Sequence, residues 1–198
     1  MCYSNPYLPS SDDLGCLAAS FPSDEIKFDS ASFSKLNSTN TNLTATWFVS
    51  LRFKNSRPPP FLIFFTYSIS YSRLQATIIY EVDDNHEREL AISPTTPSFH
   101  QGPGDIANFG FGFELANEYV GEEVVKGLAD AWGRGYVDFE VRLKAKYKCK
   151  GLCYFSSRMK VDCGPVRFGL LSHNGTGLFV GLVYGTGRHE GKDADQCR

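Results

Sequence analysis

From Val137 to Cys149 every odd position is apolar or cysteine (Val137, Phe139, Val141, Leu143, Ala145, Tyr147, Cys149), and every even position is charged. Period two over that length predicts a strand with one face buried and the other in water. Beyond Lys150-Gly151-Leu152 the odd register resumes with Cys153, Phe155, Met159, Val161 and Cys163. A short glycine-containing loop between two in-phase strands predicts a β-hairpin. Leu43 to Phe53 alternates in the same way, with Leu43, Ala45, Trp47, Val49, Leu51 and Phe53 on the face that should be buried.

Further strands are predicted at Ile26–Leu36, where alternation is looser, and in the aromatic and β-branched runs Phe61–Tyr71 and Leu74–Val82. Glu87–Ile92 and Ile106–Ala116 are read the same way, while Val166–Leu171 could add an edge strand and Leu178–Tyr184 one more. The tract Asn37–Asn42 and Asp83-Asp84-Asn85 have turn composition, Pro58-Pro59-Pro60 ends a strand, and Ser93–Asp105 is a proline-punctuated loop. Only Gly121–Trp132 changes period. Val124, Val125, Leu128, Ala131 and Trp132 share one helical face, Glu122 and Glu123 suit the positive helix start, and Gly133 is the expected stop.

Strands separated by turns, with no repeat and no second core, predict a mainly β chain. The expected architecture is an antiparallel two-sheet β-sandwich, immunoglobulin or fibronectin-III-like, with one short helix. Trp47, Val49, Leu51, Phe111, Phe139, Val141, Leu143 and Val161 are expected in one core. Residues 1–25, rich in Ser, Asp and Pro, are expected to be disordered, 26–171 to form the domain, and 172–198 to be a glycine-rich and polar tail.

Charge adds one feature to this picture. Between Arg142 and Lys160 lie seven basic residues, at positions 142, 144, 146, 148, 150, 158 and 160, and no acid. With Cys149 opposite Cys153, Arg142 would face Lys160 and Lys144 would face Arg158, like-charge neighbours that weaken a sheet unless an anion offsets them. Two readings stay open. Arg142, Lys144, Lys146, Lys148, Arg158 and Lys160 either keep a sheet edge from pairing with another chain, or form a surface for an anion or acidic lipid. The formal net charge of −2 argues against nucleic acid as a partner.

Cys149 and Cys153, in facing positions beside a tight loop, are candidates for a disulfide, with Cys2, Cys16 and Cys197 expected in mobile ends. Three Asn-x-Ser/Thr triplets, at Asn37, Asn42 and Asn174, are candidate glycosylation acceptors, although chance alone supplies about one such triplet in a chain of this composition. The four histidines (86, 100, 173, 189) are scattered and give no ligand spacing to a zinc site at the cysteines. No G-x-S-x-G, H-E-x-x-H or phosphate-loop motif occurs, so no enzyme and no cofactor is expected. The longest apolar run, Phe61–Phe65, is too short to cross a bilayer, and residues 1–25 lack the basic start of a secretory signal.

With the strands placed, Ile26–Gly169 resembles the plant late embryogenesis abundant type 2 domain of harpin-induced-like proteins. Four stretches carry the likeness: Phe28-Asp-Ser with Leu43-Thr-Ala-Thr-Trp47 and its long strand; Pro97-Ser-Phe-His-Gln-Gly102; Val137–Tyr147; and Met159-Lys-Val-Asp-Cys163. Asn55-Ser56-Arg57-Pro58 stands where that family has an Asn-Pro-Asn-like turn. The resemblance implies a non-enzymatic β-sandwich acting in plant responses to pathogens or water stress. It also implies a domain outside the cell at the plasma membrane, held by a span that this chain does not contain, with an anionic lipid, the cell wall or another protein as partner. An alternative is a lipid or apolar-ligand domain with a cavity between its sheets and a basic surface for head groups.

Overall fold

The computed structural model describes residues 25–55, 68–83, 86–150, 154–171, 176–182 and Cys197. Among them, nine strands and one helix follow in the order β1 (Glu25–Thr39), β2 (Asn42–Lys54), β3 (Ser68–Asp83), β4 (His86–Ile92), β5 (Phe99–Gln101), β6 (Ile106–Tyr119), α1 (Glu122–Arg134), β7 (Tyr136–Lys150), β8 (Tyr154–Leu171) and β9 (Thr176–Leu182). The chain is therefore mainly β, and every strand pairing is antiparallel.

Instead of two separate sheets, the strands form one nine-stranded sheet in the order β4-β3-β7-β8-β9-β1-β2-β6, with β5 on β3. Its two ends approach each other where β4 meets β6, so the sheet is nearly closed into a barrel. Near-closure shelters strand edges that an open sheet of this length would expose.

The inner positions of β2 give the clearest agreement with alternation: Leu43, Ala45, Trp47, Val49, Leu51 and Phe53 are all fully buried. Their counterparts on β7 come from the opposite wall, and the two walls meet through aromatic rings. Phe139 packs edge-on to Trp47 at 5.6 Å and to Phe33 of β1 at 6.1 Å, and touches Phe168 of β8 at 5.8 Å. The interior is thus filled by side chains, with edge-to-face geometry that adds to the gain from burying their area. Of the eight expected core residues, Val161 is the one left partly buried.

The resemblance segment Pro97–Gly102 seals one end of the barrel. Phe99 stacks on Tyr71 at 4.7 Å and tilts against Phe109 at 4.2 Å. Buried Gln101 donates to the carbonyls of Phe53 and Asp105, and buried Asn55 donates to those of Gln101 and Gly102. These polar groups satisfy backbone that a sheet end would otherwise leave unpaired, so here the motif maintains the fold.

Several expectations are corrected. The helix ends at Gly135, not Gly133, because Gly135 adopts the left-handed conformation (φ 81°) from which its N–H reaches the Trp132 carbonyl. Trp132 turns outward at 37% exposure, and Val124, Leu128 and Ala131 form the buried stripe. Val166–Leu171 is no edge strand but the second half of β8, paired with both β7 and β9. Thr176–Leu182 joins the sheet as β9, overlapping the strand expected at Leu178–Tyr184 and lying within the segment expected to be a tail. Cys197, expected in a mobile end, is buried and disulfide-bonded to Cys163, and its N–H donates to the Ile26 carbonyl.

The hairpin register also differs. Cys149 pairs with Phe155 and Lys150 with Tyr154, two residues along from the expected alignment. The proposed partner Cys153 and its bond to Cys149 lie outside the described residues.

Candidate functional site: a basic groove on the outer face

The corrected register changes the neighbours of the basic residues. Arg142 faces Asp162, not Lys160, whereas Lys144 faces Lys160 and Lys146 faces Arg158. Arg142 is therefore not part of a free basic surface. Its side chain, 11% exposed, donates from Nε to Asp162 Oδ1 at 2.5 Å and from Nη2 to Glu87 Oε2 at 3.0 Å, with Glu140 Oε1 at 3.5 Å. Burial opposes its charge, but the hydrogen bonds to Asp162 and Glu87 outweigh that and raise its basicity above the ordinary arginine value.

The remaining cations cluster. A depression of about 350 Å³ opens on the outer face between β3, β7 and β8, lined by Arg73, Lys144, Lys146, Arg158 and Lys160 around the paired Ala145 and Met159. No lining residue is acidic. Two of the cations have loose surface partners, Lys144 with Glu89 and Lys160 with Asp162, each at 3.5 Å. Such exposed pairs are worth about 0–1 kcal/mol and open readily. Among the described residues, no carboxylate pairs with Arg73, Lys146 or Arg158.

Arg73 was not singled out from the sequence, yet a signal for it exists. On β3 the buried positions are odd at Ile69 and Tyr71, move to the even positions Leu74 and Ala76, and then take in every residue from Thr77 to Tyr80. A change of phase inside a strand demands an extra residue, and pairing with β7 is interrupted there, between Ser72 and Gln75. Arg73 occupies the bulge with φ 54°, a backbone conformation that costs a non-glycine residue about 1–3 kcal/mol. The bulge places Arg73 among the residues lining the groove that Lys144 and Lys146 border.

Edge protection accounts poorly for the lysines of β7. That strand is paired with β3 on one side and β8 on the other, so Lys144, Lys146 and Lys148 guard no free edge. Arg158 and Lys160 lie where β8 pairs only with β7 among the described residues, and edge protection still applies to them.

The other predicted sites are dispersed. Asn37 is exposed on β1, whereas the side-chain nitrogen of Asn42 donates to the Asn117 carbonyl oxygen at 3.1 Å and to Asn117 Oδ1 at 3.3 Å; Asn174 lies outside the described residues. Among the described residues no group of three or more His, Cys, Asp or Glu could hold a metal ion, and no helix is long and apolar enough to cross a membrane.

No family model matches the chain, and no curated protein matches it either. Among solved structures it is similar to a protein from Archaeoglobus fulgidus, with 12% identity over 73% of this chain and 98% of that one and a TM-score of 0.32.

Proposed function

We propose that this chain is a non-enzymatic binding module of the kind its resemblance to the late embryogenesis abundant type 2 domain implies. On this reading it acts in a stress or defence response, tethered at a membrane or in the apoplast, and its walls pack like the layers of a β-sandwich. It works by engaging an anionic surface through the outer face of β7 and β8. The observation that carries the proposal is the groove of five cations and no acid, placed partly on a strand that has no edge to protect. Lys and Arg near an anionic surface contribute about 1 kcal/mol each, so five would supply about 5 kcal/mol of reversible, salt-sensitive attachment. The apolar-ligand alternative is less well supported, because the aromatic contacts between opposite walls occupy the space an acyl chain would need.

The test is sedimentation of the full chain with phosphatidylserine vesicles at low salt. Replacing Arg73, Lys144, Lys146, Arg158 and Lys160 by Gln should abolish binding and leave the fold intact. Arg142 is kept, because its loss would strand the carboxylates around it. A wild-type chain that ignores such vesicles at low salt, where attraction is strongest, would overturn the surface-binding reading.

A further inference from the structure

We infer that the groove is a site for a compact ligand carrying clustered phosphate groups on a small ring, either free in solution or projecting as a lipid head group. The inference rests on the anion-binding reading and narrows it to one ligand chemistry.

The dimensions come first. Alternate residues on a strand are roughly 7 Å apart and paired strands roughly 5 Å apart, so Lys144, Lys146, Arg158 and Lys160 outline a small rectangle. Arg73 closes a third side from the β3 bulge. The depression, about 350 Å³ and open to solvent, falls within the size range of small-molecule sites.

Charge density then selects the ligand. Three of the five cations have no carboxylate partner among the described residues, and the other two are held only by exposed contacts at 3.5 Å. A ligand that supplies three or more negative charges within roughly one ring's breadth would answer these cations together. A carboxylate polymer with one charge per sugar spreads its charge too thinly. A ring bearing several phosphate esters concentrates it, each ester carrying about 1.5 to 2 charges near neutral pH and three acceptor oxygens. The chemistry of the lining matches: Arg73 and Arg158 offer planar forks suited to bidentate phosphate contact, and the lysines add point charges. Ala145 and Met159 turn their side chains into the core, so strand backbone floors the groove, and the aliphatic stems of the surrounding Lys and Arg side chains give the carbon face of a ring something to lie against.

The experiment uses the full chain and three probes: vesicles containing about 5 mol% phosphatidylinositol bisphosphate, vesicles matched in charge with phosphatidylserine, and free inositol hexakisphosphate. We expect at least tenfold tighter binding to the bisphosphate vesicles than to the charge-matched ones, and displacement by the free polyphosphate. Arg73→Gln should weaken polyphosphate binding about tenfold. The double variant Lys146→Gln/Arg158→Gln, on regular strand positions, should do the same if the bulge variant fails to fold. Arg88→Gln, on exposed β4 outside the groove, should leave binding unchanged. Equal binding to both vesicle types, with no effect of the free polyphosphate, would overturn the compact site and leave the general surface reading standing. Tight, Arg73-dependent binding of the free polyphosphate without any vesicle binding would support the site and overturn the surface reading. No binding to any probe at low salt would overturn both.

Discussion

Strand β7 carries two opposite surfaces along one outer face. Its first outward charged residues are Asp138 and Glu140; after Arg142 come Lys144, Lys146 and Lys148. A depression accompanies each end, and both arise where a bulge interrupts pairing with a neighbour. At the basic end the bulge is in β3, at Arg73. At the acidic end it is in β8, where Gly164 (φ 133°) and Pro165 break the register opposite Glu140 and a cavity of about 330 Å³ is lined by Glu81, Asp83, Asp138, Glu140, Arg134 and Tyr80, among others.

The ends differ in how their charge is answered. Asp138 receives two hydrogen bonds from Arg167, at 2.7 and 2.8 Å, Glu140 has Arg142, and Asp83 accepts from His86 at 2.9 Å. Glu81 is the exception among those four acids, with no partner among the described residues. The acidic end is thus largely neutralised from within the molecule, and the Arg167–Asp138 pair joins β8 to β7. At the basic end Arg73, Lys146 and Arg158 have no carboxylate partner among the described residues. Such an excess lowers stability by like-charge repulsion, and it is the imbalance that points to an external ligand.

The largest expected effect concerns what the two ends share. Phe139 lies on the inner face of β7 against Trp47, Phe33, Phe168 and Tyr80. Phe139→Ala should lower stability by about 3–5 kcal/mol through the cavity left behind, as read from urea midpoints. Loss of under 1 kcal/mol would mean that the walls do not meet through this ring.

Next comes the boundary residue. Arg142→Ala leaves Asp162, Glu87 and Glu140 without their shared cation and should cost about 2–3 kcal/mol, since hydrogen bonds to charged groups are worth about 1.5–3 kcal/mol. Lys146→Ala, four residues on, should change stability by less than about 0.5 kcal/mol. Equal losses from the two variants would erase the distinction between an arginine held by carboxylates and a lysine with no carboxylate partner among the described residues.

These two residues also show what the sequence made legible. Side-chain parity on β2 and β7 follows from local alternation, so Trp47 and Phe139 could be placed inside without knowing their partners. Pairing could not be read as well. The hairpin sits two residues from the expected alignment, and a slip of two preserves every side chain's face, which is why the core expectation survives an incorrect list of neighbours. The role of Arg142 was missed for that reason: its ion pair with Asp162 exists only in the true register. The Cys163–Cys197 bond and the order of strands around the barrel are long-range choices that no local period encodes. Arg73 was legible in principle, as the phase change between Tyr71 and Leu74.

A smaller effect should appear at the basic end. Lys146→Gln/Arg158→Gln removes one facing like-charge pair and should raise stability by about 0.2–1 kcal/mol at low salt. At about 1 M salt, where screening acts within roughly 3 Å, the gain should vanish. A variant less stable than the wild type at both salt concentrations would show that these cations are structural.

The smallest effect tests the acidic end through pH. Burial is the main cause that raises the Glu140 pKa above its ordinary 4.5, the charge of Asp162 adds to it, and Arg142 partly opposes both. Because the folded value is raised, the folded state binds more protons than the unfolded state between the two values, and stability falls as pH rises through that window. Below 4.5 the carboxyl is protonated in both states and the penalty is absent; above the raised value it is constant. Glu140→Gln keeps an acceptor for Arg142 and cannot ionise. Relative to this variant the wild type should therefore lose stability as pH climbs from about 4.5, then run parallel to it. Arg142 stays charged throughout, so the partner does not change across the titration. Chemical unfolding of both proteins at a series of pH values gives the difference directly. A wild type that gains on the variant as pH rises would mean that attraction to Arg142 outweighs burial at this carboxylate, and that the acidic end stabilises its own strand more than the groove beside it ever could.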